Sequence, residues 1–192
     1  MQPRTGLTEY PELITERLKL NRPTTLDIPA IVKMADNPRV VVTTRGMPSP
    51  YYEEDAVYFL NRAYQSFASG AAYLFAIRLR DTDEFIGGIG LHLTPEDEKA
   101  ELGYWLGEPH WGGGIATEAV GAMIPFAFKE LGLHKVYAHH TTDNAASAKV
   151  LLKNGMIREG VTIADTKRNG KFRDCVNYRL TKYEYGTLSK EE

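Results

Sequence analysis

The sequence predicts a mixed α/β (α+β) fold in which a mainly antiparallel central sheet carries helices on both faces. Two strand-like segments, 72–80 and 84–93, are joined by a short polar turn and predict an antiparallel hairpin. Further along, a strand, three glycines, a helix and another strand follow one another between residues 102 and 140. Because a crossover of this kind joins parallel strands, the sheet should contain at least one parallel pair.

The composition is typical of a soluble protein with one domain. The chain has 192 residues, 43% of them hydrophobic and 25% charged, which is enough for one sizeable core. We expect an N-terminal arm over residues 1–12, a single domain over 13–183 and a C-terminal tail over 184–192. The net charge of −2, with its Lys and Arg scattered, favours neither a nucleic-acid nor a membrane partner. A single cysteine, no signal-peptide pattern and no run of transmembrane length together indicate a cytoplasmic protein.

The first half of the chain predicts one strand and two helices before the hairpin. Residues 13–20 alternate enough to form the first strand, and residues 25–36 suit a short helix. Residues 39–50 are broken by glycine and proline, so they should be irregular and could form a wall of a substrate site. A second helix should continue to about Ser69 and bury one stripe. That stripe comprises Ala56, Phe59, Leu60, Ala63, Tyr64 and Phe67.

The second half predicts two helix–strand units and a closing hairpin. A strand at 102–106 leads through the glycines into a helix over 115–131, which Pro125 should kink without ending. A strand at 135–140 and a helix at 144–153 follow. The last predicted features are strands at 156–164 and 175–180, a turn between them at 168–170, and a frayed tail after Tyr183.

Three consecutive glycines, Gly112, Gly113 and Gly114, precede the helix that begins at Ile115. Without side chains in the way, their backbone N–H groups can approach a ligand closely. The first N–H groups of the helix have no intrahelical partner, and the helix dipole is positive at this end. The arrangement therefore predicts a site for a negatively charged group, most simply a phosphate.

Two common phosphate-binding motifs fit this loop poorly. A P-loop needs Lys and then Ser or Thr after its last glycine, whereas Ile115 and Ala116 stand there. A dinucleotide fingerprint aligned as Gly112-x-Gly114-x-x-Thr117 lacks its third glycine. A nucleotide-binding oxidoreductase is therefore the weaker hypothesis.

The stretch WGGGIA, Trp111 to Ala116, resembles the pyrophosphate loop of the GCN5-related N-acetyltransferase (GNAT) superfamily. That loop has Gln or Arg, two variable residues, Gly, one variable residue, then Gly or Ala. Gly114 and Ala116 match it, and Trp111 stands where Gln or Arg is usual. The longer stretch ELGYWLGEPHWGGGIATEA is similar to the RimJ/RimL-like branch (ribosomal-protein-alanine acetyltransferases), in which tryptophan is usual at that position. TERLKL (15–20), IGGIGL (86–91) and NAASAKVLLKNGM (144–156) resemble the same branch, so the resemblance covers roughly residues 13–180.

The resemblance implies direct transfer of an acetyl group from acetyl-CoA to a primary amine, either a protein N-terminus or a small molecule. It also implies a parallel strand pair that splays apart at the acyl-CoA site. Backbone groups around Trp105 and Leu106 would then hold the pantetheine and the thioester. The implied pyrophosphate cradle comprises Trp111, Gly112, Gly113, Gly114, Ile115 and Ala116.

Glu101 and Ser147 are the leading catalytic candidates. Glu101 enters the strand before the loop, where its carboxylate could take the proton of the amine directly or through water, although it could equally be a solvated strand-end residue. Many relatives place an acidic tyrosine seven residues after the helix asparagine, but Leu151 stands there. Ser147 therefore remains as a relay or a hydrogen-bond partner of the sulfur. Asn144 could cap its helix and also bind the pantetheine amides, whereas Glu118 is better explained by the helix dipole.

The remaining titratable residues leave alternatives open. His139 or His140 could be an alternative base, and His110 could touch phosphate. No histidine pair has zinc-like spacing with a third ligand, so we expect no metal, and Cys175 should be a buried, inert thiol. A non-catalytic acyl-CoA-binding module is the rival hypothesis, and the protein could be a monomer or a homodimer.

Overall fold

Residues 7–168 and 170–188, which are those that the computed structural model describes, contain eight strands in a single sheet of order β1-β2-β3-β4-β5-β6-β8-β7. The strands are β1 Leu13–Ile14, β2 Leu18–Asn21, β3 Ala72–Leu79, β4 Phe85–Thr94, β5 Lys99–Leu106, β6 Lys135–Thr141, β7 Ile157–Arg168 and β8 Lys171–Thr181. The helices are α1 Ile28–Ala35, α2 Pro38–Val41, α3 Glu53–Ser69, α4 Ile115–Pro125, α5 Ala145–Lys153 and α6 Lys182–Leu188. Within these described ranges, no helix is both long and apolar enough to cross a lipid bilayer.

The β5–β6 pair is parallel and very short. Its register joins Lys99 to Lys135, Ala100 to Val136 and Glu101 to Tyr137, and no later residue pair continues it. All other strand neighbours are antiparallel. Because β5 goes on to Leu106 while its pairing with β6 stops at Glu101, the two strands part in the middle of the sheet. The predicted fold class and its splayed parallel pair are confirmed.

Helices cover both faces of the sheet. The larger core lies on the face that packs against α4 and α5, and it contains Met123 and Leu151 from those helices. The second core lies on the opposite face and contains Ile31 of α1 and Ala56 of α3. Along β5, even-numbered residues such as Leu102 face the first core and odd-numbered residues face the second, as the pleat requires.

A buried ion pair lies under α1. Both terminal nitrogens of Arg78, on β3, donate to the two carboxylate oxygens of Asp27 at 2.7 Å. The Asp27 carboxylate also accepts a hydrogen bond from the Thr24 backbone N–H at 2.7 Å. Asp27 and Arg78 are only 4% and 7% exposed. Nothing in the local sequence pattern predicts this pair, because the two residues lie 51 positions apart.

Three predictions for the first half of the chain are wrong in part. The strand predicted over residues 13–20 is two short strands, because Thr15 closes a turn in which its side chain accepts from the Leu18 N–H at 3.0 Å. The segment predicted to be irregular includes α2, whose N-terminus is capped by the Asn37 side chain accepting from the Arg39 N–H. Of the stripe predicted on α3, Tyr64 is exposed and contacts the Arg22 guanidinium.

At Pro125, where a kink is predicted, the helix changes from α-helical to π-helical geometry. The α-helical part of α4 ends there, and the chain continues as one π-helical turn, Phe126–Glu130, closed by the hydrogen bond from Leu131 N–H to the Phe126 carbonyl. The helix is therefore widened rather than stopped, and Gly132 follows with a positive φ of 69°.

The predicted frayed tail is wrong as far as the structure describes it. Residues 182–188 form α6, and the Tyr185 ring stacks on Phe128 with centroids 4.9 Å apart. The closing strands β7 and β8 are also longer than predicted. Asn169 of the predicted turn, most of the N-terminal arm (1–6) and the last residues (189–192) lie outside the described residues.

Candidate active site

A cleft of about 1190 Å³ opens where β5 and β6 part. It is lined by residues from both faces of the sheet, so it connects the α4/α5 side with the α1/α3 side. Of the eleven residues predicted for catalysis or cofactor binding, all but Gly113 line it. The members predicted from sequence are Glu101, Trp105, Leu106, Trp111, Gly112, Gly114, Ile115, Ala116, Asn144 and Ser147.

The glycine loop has the geometry of an anion cradle. Gly112 and Gly114 adopt positive φ values of 80° and 77°, which side chains rarely permit. A Cβ placed on Gly112 or Gly113 would meet no atom within 4 Å. The loop therefore leaves open space in front of the first turn of α4, where unpaired N–H groups and the positive end of the helix dipole lie.

Arg17 fixes this loop from the β1–β2 side and was not predicted as a site residue. Its guanidinium donates to the Gly113 carbonyl at 2.8 Å and to the Glu118 carboxylate at 2.6 Å. The Arg17 N–H and the Thr15 hydroxyl also donate to Glu118. Burial raises the pKa of the Glu118 carboxyl, but the hydrogen bonds from Thr15 and Arg17 outweigh it and lower the pKa below its usual value. Glu118 thus ties α4 to the first strands.

Trp111 closes the other side of the loop. Its indole N–H donates to the Leu106 carbonyl at 2.9 Å, and the Arg39 guanidinium lies 5.6 Å from its ring centroid. Arg39 in turn forms an ion pair with Glu108. The Leu106 carbonyl, one of the backbone groups predicted to face the pantetheine, is therefore already engaged by Trp111.

Trp105 lies against the glycines of β4. A Cβ on Gly88 would stand 2.8 Å from the Trp105 indole nitrogen, so only glycine leaves room for this ring. The β3–β4 register shifts between Ile77 and Arg78. The Trp105 ring also contacts Phe85, with centroids 5.9 Å apart.

Glu101 is half-buried on the α1/α3 face of the sheet. Its carboxylate Oε1 lies 3.5 Å from His139 Nδ1. His92 on β4 is its direct neighbour across the sheet, and Tyr137 is its neighbour on β6. Burial lowers the pKa of His92, with the Arg62 guanidinium acting in the same direction and the Glu101 carboxylate in the opposite one. The splay therefore begins at a carboxylate flanked by two imidazoles.

Ser147 has a partner that the sequence argument missed. The Tyr104 hydroxyl lies 2.7 Å from Ser147 Oγ, and burial raises the pKa of Tyr104 to about 12. Tyr104 reaches Ser147 from β5, whereas the resemblance to the family points to the position of Leu151, which is fully buried. Strand alternation could have shown that Tyr104 faces the α5 side together with Leu102, but not that it meets Ser147.

Asn144 caps α5 as predicted. Its side-chain oxygen accepts from the Ser147 N–H at 3.1 Å. This hydrogen bond fixes the first turn of α5 and with it the position of the Ser147 hydroxyl. The side-chain amide nitrogen is not needed for the cap, so it is available to a ligand in the cleft.

The other histidines and the cysteine divide into lining and structural residues. His110 lies beside the glycine loop and lines the cleft. His140 is buried, with Nδ1 2.8 Å from the Thr141 carbonyl and Nε2 3.3 Å from the Tyr178 hydroxyl. The carbonyl can only accept, so Nδ1 carries the proton and Nε2 accepts from Tyr178. Cys175 is buried, and burial raises the pKa of its thiol. Among the described residues, no group of three or more His, Cys, Asp or Glu side chains could hold a metal ion.

Comparison with known protein families shows to which family this chain belongs. A family model described as the acetyltransferase (GNAT) domain matches residues 17–157. The chain belongs to the GNAT acetyltransferase family. The matched GNAT region contains β2 to α5, and therefore the cleft, the glycine loop and the Tyr104–Ser147 contact. The predicted superfamily and the prediction of an acetyltransferase enzyme are confirmed.

Relatives of this GNAT chain include proteins of the predicted branch. YoaA of Bacillus subtilis (strain 168), an uncharacterized N-acetyltransferase, is 34% identical over 176 residues, which cover 90% of this chain and 98% of YoaA. The ribosomal-protein-serine acetyltransferase of Escherichia coli (strain K12) is 39% identical over 79 residues, covering 41% of this chain and 44% of that protein. The structure of Mycobacterium smegmatis RimJ in complex with CoA-disulfide superimposes with a TM-score of 0.80 at 21% identity, covering 98% of each chain. These similarities support the predicted RimJ/RimL-like branch.

Proposed function

We propose that this chain transfers an acetyl group from acetyl-CoA to a primary amine, carried by a protein N-terminus or a small molecule, by direct attack. The observation that carries the proposal is the cleft itself, which joins the glycine cradle at α4 to the gap between β5 and β6. The structure of RimJ that this fold resembles holds a CoA-disulfide, which supports the same class of co-substrate here.

The cradle suits a diphosphate. The open space over Gly112 and Gly113, the free N–H groups of residues 115–117 and the helix dipole all favour a negative group at this point. The acyl arm would then enter the gap between β5 and β6, since the backbone of residues 102–106 has no β6 partner there. Main-chain N–H groups on that side of Trp105 and Leu106 would stabilise the negative charge that develops on the thioester oxygen.

Glu101 is the proposed base. An amine reaches the cleft mostly as an ammonium ion and must lose a proton before its nitrogen can attack the acetyl carbon. The Glu101 carboxylate faces the cleft on the α1/α3 side, opposite to the side of the glycine loop and α5. It would take the proton directly or through one water, and His139, 3.5 Å away, would hold it in position.

We propose that Tyr104 and Ser147 form hydrogen bonds to the leaving sulfur. When the carbon–sulfur bond breaks, its electron pair stays on the sulfur, and the thiolate needs a hydrogen bond and then a proton. A Tyr104 pKa of about 12 lies roughly 3.5 units above that of an ordinary thiol, so full proton transfer from the phenol would cost on the order of 5 kcal/mol. The pair therefore acts as a hydrogen-bond donor and relay, and solvent supplies the proton in the end.

Incubation of the protein with acetyl-CoA and a panel of amines tests the proposal. Release of free CoA thiol, with the acetyl group found on the amine by mass spectrometry, is the expected result. Glu101→Gln should lower kcat/KM most at low pH, where more of the amine arrives protonated, and the exposed Glu96→Gln serves as the matched control. Tight CoA binding without acetylation of any amine would contradict transfer and favour the non-catalytic acyl-CoA-binding module.

A further inference from the structure

One half of the cleft would remain free when the proposed co-substrate is bound. On the α1/α3 side of the sheet it is lined by the loop 43–48 and by one face of α3, and it ends at Glu101 and His92. We call this region the acceptor half. The residues that α3 contributes to it are Asp55, Tyr58, Phe59 and Arg62.

Two arginines line the acceptor half without an acidic partner. Among the described residues, neither Arg45 nor Arg62 has a carboxylate within ion-pair distance. Five arginines elsewhere do have such partners (Arg17, Arg39, Arg78, Arg173 and Arg179), and the other unpaired ones among the described residues, Arg22, Arg80, Arg158 and Arg168, do not line the cleft. Arg45 and Arg62 are therefore cations for which the described residues supply no paired carboxylate.

Arg62 acts on the deep end of the acceptor half. Its guanidinium is close enough to His92 to disfavour protonation of that imidazole, while Glu101 acts on the same imidazole in the opposite direction. His92 and Glu101 are direct neighbours across β4 and β5. The deep end therefore presents a negative group, Glu101, and a positive group, Arg62, to the same imidazole.

Asp55 does not neutralise Arg62. Its carboxylate accepts from the Tyr52 N–H at 2.8 Å and lies in the first turn of α3, where the helix dipole favours a negative charge. Arg62 lies seven residues further along the helix, which is about 10 Å along its axis. The positive charge of Arg62, an exposed residue on the wall of the cleft, thus remains available to a ligand.

We propose that the acceptor amine carries an oxyanion, a carboxylate or a phosphate, which Arg62 binds while Glu101 takes the proton of the amine. The inference rests on the proposed acetyl transfer and names the chemical class of its acceptor. The planar fork of an arginine suits two oxygens of one oxyanion. A polyamine would instead bring further positive charges against two unpaired arginines, which selects against it.

Matched pairs of acceptors test this inference. Alanine is compared with alaninamide, and O-phosphoethanolamine with ethanolamine, with spermidine as the polycation; kcat/KM is measured at saturating acetyl-CoA. The anionic member of at least one pair should react about tenfold to a hundredfold better, the range expected for hydrogen bonds to a charged group. Which pair shows the preference distinguishes a carboxylate from a phosphate.

Variants of Arg62 test whether this side chain causes the preference for the anionic acceptor. Arg62→Ala should bring the ratio within a pair close to one and leave the KM for acetyl-CoA unchanged, and Arg62→Lys should keep part of the preference. Lys129→Ala, an exposed cation outside the cleft, is the control. Acetylation with equal rates within both pairs, a preference for spermidine, or a preference that survives Arg62→Ala would overturn the inference and leave the proposed transfer intact. No acetylation of any amine would overturn both.

Discussion

The Tyr104 hydroxyl lies 2.7 Å from Ser147 Oγ and joins β5 to the first turn of α5. The two residues are 43 positions apart in the chain, and both line the cleft. Around them, Asn144 fixes the helix turn and the parting of β5 from β6 opens the space that they face. The contact therefore depends on three separate parts of the chain being placed correctly.

Tyr104→Phe should lower kcat by roughly tenfold or more, because the leaving thiolate loses the hydrogen bond that the phenol supplies through Ser147. With a pKa of about 12, Tyr104 stays protonated over the usual assay range, so the loss should be the same at pH 7 and pH 9. Steady-state rates at both pH values check this. Tyr64→Phe, an exposed tyrosine on α3, is the control.

Ser147→Ala should cause a loss similar to that of Tyr104→Phe, and the double variant should be little worse than either single one. Residues that act as one unit have non-additive effects on the rate. A double-mutant cycle on kcat measures this. Losses that simply multiply would show that the two hydroxyls act independently.

Gly113→Ala should weaken acetyl-CoA binding without destabilising the fold. Its φ is not in the left-handed region, and a Cβ there meets no protein atom within 4 Å, so a methyl group can only obstruct a ligand. The expected result is an unchanged Tm without ligand and a higher Kd for acetyl-CoA by titration. Gly160→Ala is the control, since Gly160 is equally open but lies on β7, away from the cleft. An unchanged Kd would remove Gly113 from the cradle.

Arg17→Ala should raise the KM for acetyl-CoA several-fold and leave kcat nearly unchanged. Its hydrogen bond to the Gly113 carbonyl holds the loop in the conformation that directs N–H groups at the diphosphate. The Arg17 side chain is 47% exposed, so its ion pair with Glu118 should contribute less than about 1 kcal/mol to folding. Arg17→Lys should recover part of the affinity, and an equal KM for the Arg17→Ala and wild-type proteins would contradict a positioning role.

These contacts show what sequence patterns predict and what they leave out. The glycine loop and the cap at Asn144 depend on local rules, and each is where the sequence places it. Arg17 and Gly113 are 96 positions apart, so their hydrogen bond follows from the sheet order and not from any motif. The helix α6 was missed because its seven residues are too few to show a period, and it is stabilised by packing such as Tyr185 on Phe128.

His92 should make the stability of the fold depend on pH. Its pKa is lowered in the folded state, first by burial and then by Arg62, while in the unfolded chain it is near 6.5. Between the folded pKa and 6.5 the unfolded chain binds more protons, so the free energy of unfolding rises with pH across that window and is not affected by His92 above it. His92→Gln should therefore lose less stability than the wild type as the pH falls below 6.5. Urea unfolding at pH 7.5, 6.0 and 5.0 checks this, and parallel curves for the two proteins would contradict it.

Asp27→Asn should destabilise the fold by about 3–5 kcal/mol, because it leaves the Arg78 guanidinium buried without its counter-charge. The pair is bidentate at 2.7 Å, and both residues are almost completely buried. Removing one partner of such a pair lowers the free energy of unfolding strongly. Replacing both residues, as Asp27→Leu with Arg78→Met, should cost less than the single change, since no buried charge remains. Asp97→Asn, which breaks the exposed pair with Lys99, should cost less than about 1 kcal/mol and is the control. Urea titration measures the free energy of unfolding of each variant. If Asp27→Asn lowers it no more than Asp97→Asn does, the buried pair contributes little to stability.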